Sequence, residues 1–499
     1  MVNIRLQQEE ACQRVRNRIK SLRPEELIIA ASLKLREIEK DIALWSKWNP
    51  YSLLLVIRWA FEYGAQNSNV IPLTQNQFIK LISDCNEICG NPYFLSGASA
   101  NVNKFLRTMS FQQFWFQGNI FKGLFGRLFL LFCNSKDEIH ENFLFRVGIS
   151  MQEYLELSFA VWGWTPKQSN EVLVPLQFFE NSTYEITAIT KYFDFTSKTI
   201  LQMTDYLQTP RKKGIRNFYL QPCEKSPLTK YPLLRLPGGI FKYSQRVFES
   251  HIRMIFYELM KSTGDSPLAE KFSKRFENYN DKLLAYSCLP YLKETELKKI
   301  AGKGKVVDFA IPYADTTILI ETKSVEMNPL AQVNPENKIM EKELKSSVIK
   351  AVIQAYEFIY NLKQVDTTEI ECKKHFSLLI VTYDNLWLGP PLHLWKEFLE
   401  NSVRNRIKPE LLDEAALSPE RIFVISIDEM EVIIERIKLQ VVSLPDFIER
   451  AVADNRTEKV KHQLNMHFTE RECEETKGIP FLIEPFEIFC KSLRSKFVK

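Results

Sequence analysis

A chain of 499 residues with 45% apolar and 25% charged side chains is too long for one ordinary core and too rich in apolar residues to be disordered. With 16 glycines and 23 prolines it is neither fibrous nor linker-rich, and nine scattered cysteines, an odd number, exclude a disulfide framework and favour a reducing, cytoplasmic setting. The net charge of +5 singles out no partner, although residues 1–240 carry 28 Lys and Arg against 21 Asp and Glu while the rest carries 38 against 40.

Residues 1–170 read as an α-helical domain. Apolar positions recur at three and four spacing, as in Leu27, Ile28, Ala31, Leu35, Ile38 and Ile42, and Pro50, Pro72 and Pro92 mark helix boundaries. The first thirty residues are charged, with no apolar run that would serve as a signal peptide. Gly123 to Cys133 is the most apolar window, but it is short and holds Arg127, so it predicts a buried helix and no membrane partner. Cys85 and Cys89 lack a second pair and a nearby histidine, which favours two buried thiols over zinc. The aromatic run from Phe105 to Phe132 is assigned to core packing.

Residues 171–243 read as a mixed β and loop connector, with strands over Val172 to Phe178 and Tyr184 to Thr190 and then a Pro- and Gly-rich stretch. Its basic run, Arg211, Lys212, Lys213 and Arg216, is a candidate contact for a phosphate backbone. From 244 to 435 the pattern turns to α/β. Helices are predicted over Ser244 to Lys261, Leu268 to Leu284 and Glu336 to Asn361, and strands over Lys305 to Ile311, Thr317 to Ser324, Phe376 to Tyr383 and Arg421 to Ile427, giving a mixed central sheet flanked by helices. Residues 436–499 form a helical extension.

Two predicted strands carry acids inside apolar runs: Val306-Val307-Asp308-Phe309-Ala310-Ile311 and Thr317-Ile318-Leu319-Ile320-Glu321-Thr322-Lys323. A carboxylate buried without compensation is costly, so each needs a reason. Residues two apart on a strand share a face, which groups Glu321 with Lys323. A hairpin closed by Ala314-Asp315 pairs Ile311 with Ile318, Phe309 with Ile320, and Asp308 with Glu321. Two carboxylates at that separation repel unless a cation lies between them, and oxygen ligands suit Mg²⁺ or Mn²⁺.

This arrangement resembles the PD-(D/E)XK, or restriction-endonuclease-like, nuclease superfamily, whose core hairpin carries an Asp and then Glu-x-Lys. The resemblance covers about residues 244 to 430 and implies a metal-dependent nuclease with Asp308, Glu321 and Lys323 at its centre. Glu277, on the helix before the hairpin, matches the glutamate that completes the metal set in many relatives, and Gln354 matches an accessory glutamine. Val307 replaces the nominal proline, and Phe358 stands where a strict Gln-x-x-x-Tyr pattern has tyrosine.

DNA is favoured over RNA on what is usual in that superfamily. A large helical domain attached to such a nuclease is similar to bacterial anti-phage defence and restriction effectors, which leaves a partner protein, a phage-derived trigger and self-association as open alternatives. The rival readings are an RNase of the same fold, including one that cleaves tRNA, and a non-catalytic nucleic-acid-binding scaffold. No Gly-x-x-x-x-Gly-Lys-Ser/Thr loop occurs, so ATP hydrolysis is not expected. Arg246 and His251 have the Arg-x-x-x-x-His spacing of HEPN ribonucleases, but Val247 replaces the usual polar residue and His251 is read as a packed side chain.

Overall fold

In the computed structural model the chain forms two compact units, Met1–Asp265 with Pro485–Lys499, and Ser266–Glu484. The structure describes residues 2–64, 71–89, 102–117, 123–134, 136–164, 173–174, 177–180, 182–209, 218–262, 264, 266–302, 304–333, 337–365, 375–457, 461, 463–474 and 479–497. The α/β unit thus opens at Ser266 rather than at 244, and the Gln245–Ser262 helix belongs to the helical unit. Among the described residues no helix is long and apolar enough to cross a membrane.

The first unit is built on helices Val2–Ile19, Pro24–Lys40, Pro50–Tyr63 and Gln75–Cys89. Pro50 occupies a first-turn position where its missing N–H costs nothing, and the Asn49 side chain caps the same helix by accepting from Tyr51 N. Cys12, Leu27, Ala31, Leu35, Trp59 and Ile82 pack one core, which also encloses Cys85 and Cys89 as fully buried thiols. Of the aromatic run, Phe111, Phe116, Phe125, Phe129 and Phe132 are buried, as core packing requires.

The connector departs from expectation. Among the described residues of the first predicted strand, Leu173–Val174 (β1) is extended and the stretch from Gln177 belongs to a helical turn, Gln177–Glu180. The second predicted strand is instead the start of helix Ile186–Thr196. Its β-branched residues read locally as strand, but the buried set Tyr192, Phe193 and Thr196 has helical spacing, and burial of that stripe decides the outcome. With Ser197–Lys198 (β2), Leu233–Leu236 (β3) and Gly239–Lys242 (β4), β1 completes a small sheet of order β1-β4-β3-β2. Pro237 and Gly238 close the β3–β4 turn, and Gly238 at φ 91° takes the left-handed conformation that a side chain resists.

The second unit carries a five-stranded sheet, Leu292–Lys293 (β5), Phe309–Pro312 (β6), Thr316–Lys323 (β7), His375–Thr382 (β8) and Ile422–Ser426 (β9), in sequential order. β5, β6 and β7 are antiparallel; β7, β8 and β9 are parallel. The mixed α/β sheet is thus present. Between β7 and β8 the predicted single helix is two, Asn337–Leu344 and Val348–Lys363. Lys345-Ser346-Ser347 breaks it: Ser347 donates both its N–H (3.2 Å) and its hydroxyl (3.4 Å) to Leu344 O, a local alternative to the helical ladder. The second helix buries Val348, Ile349, Val352, Ala355, Ile359 and Leu362 on one stripe.

Candidate active site

The β6–β7 hairpin has the register expected from its loop, with Phe309 opposite Ile320, Ala310 opposite Leu319 and Ile311 opposite Ile318. Tyr313 N donates to Thr316 O at 2.9 Å across the two-residue tip. Carried one position further, this register sets Asp308 against Glu321. β6 nevertheless begins at Phe309, later than the predicted Lys305, because Asp308 leaves the backbone ladder and substitutes its side chain. Its Oδ2 accepts from Thr322 N and Thr322 Oγ1, both at 2.7 Å, while Asp308 N donates to Glu321 Oε2 at 3.2 Å. Glu321 thus accepts from the backbone of Asp308, while Asp308 accepts from the backbone and hydroxyl of Thr322, the next residue along β7.

Glu321 is 2% exposed. Lys323 Nζ donates to its Oε1, and Gln354 Nε2 donates to its Oε2 at 3.2 Å and also to Val306 O. Burial pushes the Glu321 carboxyl up to about 7, and the neighbouring Asp308 charge pushes the same way against the pull of Lys323. An acid in this state is poised to change its charge near neutrality. Gln354 projects from helix Val348–Lys363, whose Tyr356 and Phe358 lie buried. Tyr356 donates to Leu417 O at 2.9 Å, so the aromatic positions of this helix serve packing.

Glu277 lies on helix Ser266–Ser287, which packs along β7. Phe272 and Phe276 of that helix meet the Tyr383 ring edge-on at 5.3 and 6.0 Å, and Tyr383 N in turn donates to Lys323 O at 3.3 Å. Ser273 and Ser324 share a hydroxyl hydrogen bond of 2.6 Å, pinning the helix to the end of β7. Glu277 accepts from Lys274 Nζ at 2.5 Å. Its carboxyl is held above the usual range, first by partial burial and then by the Asp308 charge, so it belongs to the same electrostatic neighbourhood.

The structure thus brings Asp308, Glu321, Lys323 and Gln354 into one bonded network and sets Glu277 beside it. Arg211, Lys212, Lys213 and Arg216 lie outside the described residues. His251 is buried in the helical unit between Tyr154 Oη and Thr229 O, and burial holds it neutral, with its pKa lowered to about 3. Arg246 pairs with Glu249 at 3.2 Å. That pair serves packing, as expected of His251. Two residues went unnoticed in the sequence: Thr322, whose hydroxyl signals nothing until Asp308 is placed against it, and Lys274, whose three-residue spacing to Glu277 was legible as a helical ion pair.

Asp308 and Glu321 offer oxygen donors without sulfur or imidazole, a set that fits a hard cation held by one or two carboxylates and its own waters. Among the described residues no three or more His, Cys, Asp or Glu side chains group closely enough to hold a metal ion, so Asp308, Glu321 and Glu277 are not drawn together as a three-acid cage. Compared with known proteins, the chain matches no protein-family model, no curated protein and no solved structure.

Proposed function

We propose that the Ser266–Glu484 unit is a restriction-endonuclease-like, metal-dependent nuclease that hydrolyses phosphodiester bonds in DNA. One observation carries this reading: a glutamate 2% exposed in a sheet lies beside a second acid and pairs with a lysine two residues along the same face. A structural ion pair would need only Glu321 and Lys323. The added Asp308 raises the cost of burying charge, which a ligand of opposite sign would offset.

Bound by the two carboxylates, Mg²⁺ or Mn²⁺ supplies an activated water and a Lewis acid toward a phosphoryl oxygen. Thr322 fixes the Asp308 carboxylate with two hydrogen bonds, and Gln354 fixes that of Glu321. Lys323 presents an ammonium on the Glu321 side, where it donates to a phosphate oxygen and neutralises charge developing on it. DNA as substrate follows from what is usual in the superfamily that the hairpin resembles. By the same analogy the helical unit senses an invader or partner, as in anti-phage defence or restriction.

The test is cleavage of DNA and RNA by the purified chain in Mg²⁺, in Mn²⁺ and in EDTA, beside Glu321→Ala and Lys323→Ala. Metal-dependent DNA cleavage that both substitutions abolish is the expected result. Equal cleavage by all three proteins removes the mechanism, and cleavage of RNA alone transfers the substrate to RNA.

A further inference from the structure

The acids that make the site plausible also repel its substrate. A nucleic-acid backbone approaching Asp308, Glu321 and Glu277 meets three carboxylates, so cations must line the approach. Lys323 is 16% exposed at its side chain and is bonded to Glu321, which keeps it at the reaction centre and away from the approach. Lys274 is different. Its side chain is 61% exposed, while that of its partner Glu277 is 22% exposed, so the ammonium stands on the solvent side of the pair.

The fold fixes where this cation stands. Ser273 is tied to Ser324, which places the neighbouring residues Lys274 and Lys323 at the same end of β7. Phe272 and Phe276 anchor the helical turn on either side of Lys274 against Tyr383, so the exposed lysine stem rises from a fixed base. Lys274 Nζ donates to Glu277 Oε1, and a lysine ammonium this exposed is charged at physiological pH.

We propose that Lys274 is a substrate-binding residue that contacts a backbone phosphate of the nucleic acid entering the site, and that Glu277 competes with the phosphate for the same ammonium. The assignment rests on the nuclease reading for the place of the site. Its test uses binding alone. An exposed pair three residues apart on a helix contributes little to stability, so substitutions at either end leave a folded chain.

The experiment measures affinity of the full chain for a short DNA duplex in EDTA across a series of salt concentrations, for wild type, Lys274→Met, Lys274→Arg, Glu277→Gln and the Lys274→Met/Glu277→Gln double variant. Lys274→Met is expected to weaken binding severalfold and to lower the slope of log affinity against log salt by about one, the loss of one phosphate contact. Lys274→Arg keeps the slope. Glu277→Gln tightens binding, and only when Lys274 is present. An unchanged slope in Lys274→Met, tightening by Glu277→Gln that persists in the double variant, or a wild type that does not bind the duplex each overturns the proposal. Should wild type bind with this pattern yet cleave no nucleic acid in Mg²⁺ or Mn²⁺, the nuclease reading falls and the Lys274 contact stands.

Discussion

Arg58 and Glu156 in the helical unit and Glu321 in the sheet unit are buried on different terms. In the helical unit Arg58, 6% exposed, lies between Glu62 at 2.8 Å and Glu224 at 2.7 Å, and Glu156, 1% exposed, receives hydrogen bonds from Tyr184, Gln152 and Ser492. Arg58 and Glu156 thus each have opposite charge or donors around them, as folding demands. In the sheet unit Glu321 has a lysine and a glutamine, but also a second carboxylate pressing its charge in the unfavourable direction. Arg58 and Glu156 are compensated from within the chain, whereas Glu321 carries an added like charge that the proposed cation would offset.

Substitutions in the two networks should therefore separate stability from chemistry. Glu321→Gln is expected to lower metal-dependent cleavage by about a thousandfold or more while the chain stays folded, since the amide removes a disfavoured charge. Arg58→Met leaves two buried glutamates facing each other without a cation and should cost roughly 3–5 kcal/mol. Parallel denaturant melts and cleavage rates decide this: if Glu321→Gln unfolds the chain and Arg58→Met does not, the contrast between the units collapses.

Acid and base sharpen it next. Glu321 titrates near 7 in the fold against 4.5 unperturbed, so its contribution is fully present below 4.5 and is lost as pH rises toward 7. His251 titrates near 3 against 6.5, so its contribution is present above 6.5 and is lost as pH falls toward 3. The two slopes have opposite sign, each at most about 1.4 kcal/mol per pH unit. Amide exchange in EDTA, followed on peptides from β7 and from the Gln245–Ser262 helix, should show Glu321→Gln and His251→Gln each flattening one slope. Matching slopes in both peptides would leave the two environments indistinguishable. The smallest effect is expected of Gln354→Ala: removing one hydrogen bond that orients Glu321 should slow cleavage roughly tenfold with little change in substrate affinity. A pure affinity loss would move Gln354 from orienting the acid to contacting substrate.

What the sequence made legible follows from what each signal encodes. The hairpin register came from the two-residue tip and the interruption of apolar runs by acids, and both survive in any packing. The mixed sheet was readable from the alternation of strands with helices, and the apolar stretches Leu378 to Val381 and Ile422 to Ile425 suit buried parallel strands. The helix at Ile186 was missed because β-branched residues dominate its first turn, and its helical stripe lies later, at Tyr192, Phe193 and Thr196. Ser346 and Ser347 gave no warning of a break because serine in a helix is ordinary until its hydroxyl turns back on the chain. Short β5 and the Glu294–Ala301 helix were not anticipated, since two strand residues carry no period to detect. At the site, Asp308, Glu321 and Lys323 stood out as polar residues where apolar ones belong, whereas Thr322 and Lys274 acquire meaning only from their neighbours.

β7 is held very unequally along its two edges. It meets β8 over eight successive residue pairs and β6 over four. The strand that carries Glu321 and Lys323 is accordingly a rigid jaw, built into the parallel half of the sheet. Asp308, one residue beyond the end of the shorter pairing, is moored by Thr322 and Glu321 in place of the ladder. The Asp308 side of the proposed site therefore depends on side-chain hydrogen bonds, and Thr322→Val would loosen it where a change in β8 would not.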